Sequence, residues 1–132
     1  MEELKKMLYQ AIPFYSTLGL ELQEIGDGKA TFEVHINKEL TQNGNVHGGV
    51  IASLIDSACA CAAISLVYPN ESATTIDLQV EYHKPVSNGK LIATGKCLKS
   101  GKNIFFCKGL KRNLWPAFNI EYFVDEASAF KP

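Results

Sequence analysis

The sequence predicts an α+β domain in which one curved antiparallel sheet wraps around a long apolar helix. Three observations carry that expectation. Residues 48 to 67, "GGVIASLIDSACACAAISLV", are apolar on nearly every side, and a helix of that kind needs to be enclosed. Segments before and after this run alternate apolar and polar residues with period two, as half-buried strands do. A chain of 132 residues can bury one core but not two full ones, so residues 1–132 are expected to form a single domain.

The elements follow in chain order. Leu4, Met7, Leu8, Ala11 and Ile12 recur at helical spacing behind Glu2 and Glu3, whose charges suit a helix N-terminus, and Pro13 follows; a short amphipathic helix to about Ile12 is expected. Leu18, Leu20 and Leu22 then alternate with Gly19 and Glu21. "GDG" at 26–28 reads as a hairpin turn into a second strand carrying Ala30, Phe32, Val34 and Ile36. The long helix should run from about Gly48 to Val67, with "YPNES" as its stop. Ile76, Leu78, Val80 and Tyr82 alternate with Thr75, Asp77, Gln79 and Glu81, predicting one buried and one polar face. "LIATGKCL" at 91–98 and "NIFFCKGL" at 103–110 flank the turn "KSGK", and "PAFNIEYFV" at 116–124 reads as the last strand.

Composition excludes several functions. Thirteen Lys and Arg stand against fourteen Asp and Glu with no block of like charge, so neither a nucleic-acid footprint nor a polybasic membrane patch is expected. The apolar run from Val50 to Tyr68 approaches membrane-span length, but it holds Ser53, Asp56, Ser57 and Ser65. An Asp at mid-span costs roughly 2.5 to 3.5 kcal/mol on insertion scales, so a core helix fits better. Cys59, Cys61, Cys97 and Cys107 show no CxxC spacing and read as small buried apolar residues, and MEELKK lacks the apolar core of a signal peptide. A cytoplasmic protein with reduced thiols and no metal or cofactor is expected.

The chemistry gathers around Asp56. An unpaired carboxylate inside a protein is costly, so Asp56 must meet hydrogen-bond donors or open onto a wet cleft. Ala52, Ser53, Cys59 and Ala60 lie one helical turn from it and Ala63 two turns, a face of small side chains; Ile51, Leu54 and Ala58 point away. Gly48 and Gly49 stand where the helix begins, so their N–H groups and the positive end of the macrodipole can meet a polarised carbonyl oxygen without interference from a Cβ. Oxyanion donors and a carboxylate that attacks or activates water make an acyl-transfer site. Gly48 and Asp56 are eight residues apart on one helix, however, or roughly 12 Å. A two-fold axis that sets two such helices antiparallel would bring Gly48 of one chain to Asp56 of the other, so the expected active unit is a homodimer with two composite sites, alone or paired into a dimer of dimers. Ser53 and Ser57 lack a GxSxG elbow, His35 and His83 read as surface histidines, and the turn lysines Lys84, Lys90, Lys99 and Lys102 as solvated. Phe105, Phe106, Trp115 and Phe118 read as core or subunit contacts.

These residues carry a resemblance. "NGNVHGGVIASLIDSA", with His-Gly-Gly and an acid nine residues after the His, resembles the hotdog-fold acyl-CoA thioesterases of the phenylacetate-degradation (PaaI-like) subgroup. "FYSTLGLEL", "GDGKATFEV", "TIDLQVEYHKPV" and the Gly-Lys of "KSGKN" extend the likeness over most of the chain. The resemblance implies hydrolysis of acyl-CoA to free acid and CoA, with Asp56 as the catalytic carboxylate and Gly48 as the oxyanion-hole amide. It implies that His47 orients the loop or lines the thioester pocket beside Gly49, and that Thr75 lies near the attacking water. Many relatives carry Asn six residues before the His, where this chain has Thr41, and Asn43 is expected to substitute for it. The segment "LKRNLWPAFNIEYFVDEASAFKP" departs from the family's usual short turn and alternating final strand. Two other functions compete: a dehydratase or hydratase of hydroxyacyl thioesters, whose usual His-Phe-Pro type motif is absent, and a non-catalytic acyl-CoA-binding protein, which would gain little from a buried charge.

Overall fold

The computed structural model describes residues 2–82, 84–100, 104–113, 120–123 and 126–130. Helix α1 (Glu2–Ala11) is followed by a single turn of helix α2 (Phe14–Leu18), then strands β1 (Glu21–Gly26) and β2 (Lys29–His35). A 3-10 turn (Lys38–Leu40) and a small hairpin of β3 (Thr41–Gln42) and β4 (Asn45–Val46) lead into helix α3 (Gly48–Val67). Strands β5 (Thr74–Gln79), β6 (Lys90–Ser100), β7 (Ile104–Asn113), β8 (Ile120–Phe123) and β9 (Glu126–Phe130) complete the order. The large sheet runs β1-β2-β6-β7-β9-β5, with β8 also on β7, and every pairing is antiparallel. The expected sheet around a central helix is therefore present.

Helix α3 rests on the inner face of this sheet, mainly against β2, β6 and β7. Its mean hydropathy, 2.1 over an 18-residue window, reaches the range of a membrane-crossing helix, yet Leu54, Ile55, Ala58, Cys61, Ala62 and Ala63 are sealed in the core with Phe32, Leu22 and Leu91. The approach is very close at one place. Gly95 of β6 and Gly109 of β7 are directly opposite each other. A Cβ at Gly95 would lie 2.5 Å from the Ala58 carbonyl carbon, and one at Gly109 would lie 2.7 Å from Cγ2 of Ile55. Two facing glycines thus form a saddle without side chains, into which the helix settles almost to backbone contact.

The N-terminal segment closes one side. Tyr9 of α1 donates its hydroxyl to the Leu20 carbonyl at 2.6 Å and accepts from the Leu22 N–H at 2.8 Å, tying α1 to the start of β1. Tyr15 is buried, with its ring edge-on to Tyr9 and Phe32 at centroid distances of 5.7 and 5.1 Å. At the far end of α3, Ser65 Oγ accepts the Gly28 N–H at 2.8 Å and fixes the β1–β2 turn to the helix.

The structure departs from the sequence expectations in several places. Leu18 ends α2 rather than opening a strand, because Gly19 adopts φ 75° as a left-handed cap whose N–H closes the turn. Ile76 and Tyr82 do not join Leu78 and Val80 on a buried face; they are 56% and 53% exposed. For Ile76 the reason is an irregularity in the β5–β9 register between Thr75 and Asp77, which breaks the strict alternation; Tyr82 lies beyond the end of β5 at Gln79, where the strand's alternation no longer governs the side chains. The expected strand at 116–124 is observed only as Ile120–Phe123, with 116–119 and 124 outside the described residues. The further strand β9 was not expected, and it separates β5 from β7. Cys59, read as part of the Asp56 face, instead turns to β7, where its Sγ would be 3.1 Å from a Cβ on Gly109.

The saddle predicts that Gly95→Ala loses about 3 kcal/mol, at the severe end of overpacking, because the obstructing atoms are helix backbone and cannot rotate aside. Urea unfolding of the variant against wild type measures this.

Candidate active site

Asp56 lies in the middle of α3, on the side away from the glycine saddle. Ala52, Ser53 and Ala60, one turn to either side, are half-buried like Asp56 itself, so the expected face of small side chains exists for these positions. Thr75 of β5 reaches across and donates its hydroxyl to Asp56 Oδ1 at 2.6 Å. Oδ2 has no donor among the described residues. The short contact is a charge-assisted hydrogen bond, the kind that fixes a carboxylate's orientation. The local break in β5 alternation makes it possible, since Thr75 is turned toward the helix while Ile76 faces outward.

Polar groups of other elements and of α3 itself surround this carboxylate. Tyr15 lies close enough for the Asp56 charge to act on it, with its hydroxyl 3.4 Å from Cys61 Sγ and also engaged with Ser57. Burial, reinforced by Cys61, pushes the Tyr15 phenol well above its ordinary range. Burial likewise pushes Cys59 up to about 12 and Cys61 up to about 11, with the Asp56 charge adding to both. Both thiols are therefore protonated at neutral pH and are poor nucleophiles. None of the four cysteines is in a disulfide; Cys59, Cys61 and Cys107 are buried and Cys97 is half-buried.

The other candidate residues lie at the N-terminus of α3. His47 is the N-cap in extended conformation, and its Nδ1 accepts the Gly49 N–H at 2.8 Å. The Val50 N–H bonds the His47 carbonyl at 2.9 Å. Of the two glycine amides expected to face a ligand, Gly49 is thus already engaged, while Gly48 N–H has no acceptor among the described residues. The Gly48 carbonyl accepts the Tyr82 hydroxyl at 2.8 Å, and a Cβ on Gly48 would lie 3.3 Å from the tyrosine ring. Beside them opens a shallow cavity of about 300 Å³ that Val46, Gly48, Ile51, Tyr82, Lys84 and Val86 help to line.

Within one chain the structure joins Asp56 to Thr75, and His47, Gly48 and Gly49 to one another, but the two groups belong to different parts of α3. Asn43 stands apart from both. It is an exposed residue at φ 52°, followed by Gly44 at φ 85°, and these two form the turn between β3 and β4. Tyr82 was missed from sequence because the alternation assigned it to a buried face; the signal at hand was a tyrosine just beyond a strand end. His35 is exposed and 3.9 Å from Glu33, which Lys90 also approaches at 3.5 Å. Lys84 is exposed, Phe105 is buried and Phe106 is 37% exposed. His83, Lys102, Trp115 and Phe118 lie outside the described residues, and the side chain of Lys99 is likewise not described.

Comparison with known proteins agrees with the geometry. The family model described as "Thioesterase superfamily" matches residues 43–110, just over half of the chain. A Salmonella typhimurium protein named medium/long-chain acyl-CoA thioesterase YigI is 30% identical over 117 residues, covering 75% of this chain and 74% of that protein. A Halobacterium salinarum protein, named only as a candidate esterase, is 34% identical over 95 residues; the match covers 67% of this chain but 62% of that protein's length. Among solved structures, the Escherichia coli PaaI protein from the phenylacetic acid degradation operon superposes with a TM-score of 0.84 at 18% identity, covering 97% of this chain and 90% of that one. A Haemophilus influenzae thioesterase does so with 0.83 at 21%, covering 95% and 87%. The sheet-wrapped helix, the profile match that begins at the β3–β4 turn and runs through α3, and the YigI relative together make this chain a member of the thioesterase superfamily, with its hotdog fold.

Proposed function

We propose that the protein is a cofactor-free cytoplasmic acyl-CoA thioesterase of the PaaI-like kind, acting as a homodimer or a dimer of dimers. The observation that carries this reading is the Asp56 carboxylate, held at one oxygen by Thr75 at 2.6 Å, on a helix whose first glycine amide, like the other carboxylate oxygen, has no partner among the described residues. The YigI likeness supports CoA esters as the substrate class.

The chemistry uses both ends of the helix. With Thr75 fixing Oδ1, Oδ2 takes a proton from water as the water oxygen bonds to the thioester carbonyl carbon. The carbonyl electron pair moves to oxygen, and the developing oxyanion is met by the N–H of Gly48 of the partner subunit. When the carbonyl re-forms, the C–S bond breaks. The proton held on Asp56 passes to the CoA thiolate, so acid and thiol form and only water is consumed. A direct attack by Asp56 would give an acyl-enzyme instead. His47 fixes the entry of α3, Gly49 keeps that entry narrow, and Asn43 on its hairpin is available to the partner chain. The pairing is supported by the edge position of β5 and by Ile76, an exposed apolar group on that strand.

Three outcomes are expected. Asp56→Asn and Asp56→Ala lower kcat by about a thousandfold in a free-thiol assay over phenylacetyl-, short- and medium-chain acyl-CoA; full turnover by both variants overturns the mechanism, and an enoyl thioester in place of free CoA favours the dehydratase. Thr75→Val, which keeps the shape and removes the donor, lowers kcat about tenfold, in line with one hydrogen bond to a charged group. Light scattering coupled to size exclusion gives a mass of two or four chains, and an active monomer would exclude a composite site.

A further inference from the structure

We propose that Tyr82 is a positioning residue that sets the direction of the Gly48 amide; this rests on the thioesterase reading of the site. The peptide between Gly48 and Gly49 is gripped at both ends. Its N–H is donated to His47 Nδ1 at 2.8 Å, and its carbonyl accepts the Tyr82 hydroxyl at 2.8 Å. The preceding peptide, whose N–H is that of Gly48, is fixed at its carbonyl by the Val50 N–H. That leaves the Gly48 N–H as the polar group of this turn that points at no protein acceptor among the described residues.

The grip matters because glycine supplies no stiffness of its own. Two successive glycines leave four soft dihedrals at the point where an oxyanion donor must be held still, and a donor works in proportion to how little it reorganises. His47 constrains this turn from within the loop. Tyr82 comes from beyond β5, thirty-four residues later, and constrains it from the sheet side. The ring also lies against the Gly48 Cα, where a Cβ would approach it at 3.3 to 3.5 Å. Tyrosine is therefore both a wall and a clamp. Its 53% exposure indicates that it is not held there as core, and the hydroxyl is directed at the helix terminus rather than left to solvent.

The test separates clamp from wall. Tyr82→Phe keeps the ring and removes the donor; its kcat on the best acyl-CoA should fall about five- to tenfold, the scale of one hydrogen bond, with KM within twofold and the melting temperature within about 2 °C. Tyr82→Ala should lose further activity and raise KM. Amide hydrogen exchange is read in parallel on the full-length protein: the Gly49 N–H should exchange several-fold faster in Tyr82→Phe, whatever reaction the site performs. Wild-type kcat or wild-type exchange in Tyr82→Phe overturns the proposal, as does a change confined to KM. If Asp56→Asn remains active while Gly49 exchange still rises in Tyr82→Phe, the thioesterase reading fails and the clamp on the turn stands.

Discussion

The depth at which helix α3 sits is the constraint on which the rest depends. Gly95 and Gly109 face each other on neighbouring strands and remove side chains from one patch of the sheet. The helix backbone fills the space they leave. Because Ala58 and Ile55 are drawn in there, the opposite side of the same turns, with Ala52, Ser53, Asp56 and Ala60, is set at a defined height above the sheet. Thr75 on β5 can then bridge to Asp56 with a single short hydrogen bond. A helix seated higher, on larger side chains, would carry the carboxylate out of Thr75's reach. Packing density on one face thus determines hydrogen-bond geometry on the other.

Much of this arrangement was legible in the residues. The sheet-and-helix architecture followed from an all-round apolar helix among alternating segments, and Asp56 declared itself as a charge with no evident partner. What stayed hidden depended on backbone details that periodicity does not encode. A shift in register at Thr75 turns Ile76 outward, and β5 stops at Gln79 before Tyr82, although strict alternation groups both with Leu78 and Val80. The glycines of the saddle look ordinary within their strands until the helix is laid on them. Asn43 was drawn toward the site by its place in the motif, whereas Asn43 and Gly44 first serve the backbone by making a tight turn. Strand β9 escaped notice because "EASAF" is too short to show a period and follows a segment with little alternation.

The thiols illustrate how a sequence feature can be chemically silent. Four cysteines in a small chain invite a redox or metal role, yet burial raises Cys59 and Cys61 far from the thiolate range. Cys59 instead fills volume against Gly109 of β7, where a larger residue would lift the helix.

The cap at the head of α3 carries one more implication. An imidazole whose Nδ1 accepts the Gly49 amide is the neutral tautomer bearing hydrogen on Nε2. It has no basic lone pair left to offer a reactant, only a proton to share. A histidine beside a glycine pair invites a role in proton abstraction, but this ring can act on a bound ester only as an electrophilic partner. In the proposed chemistry, the task of accepting hydrogen therefore falls to the aspartate.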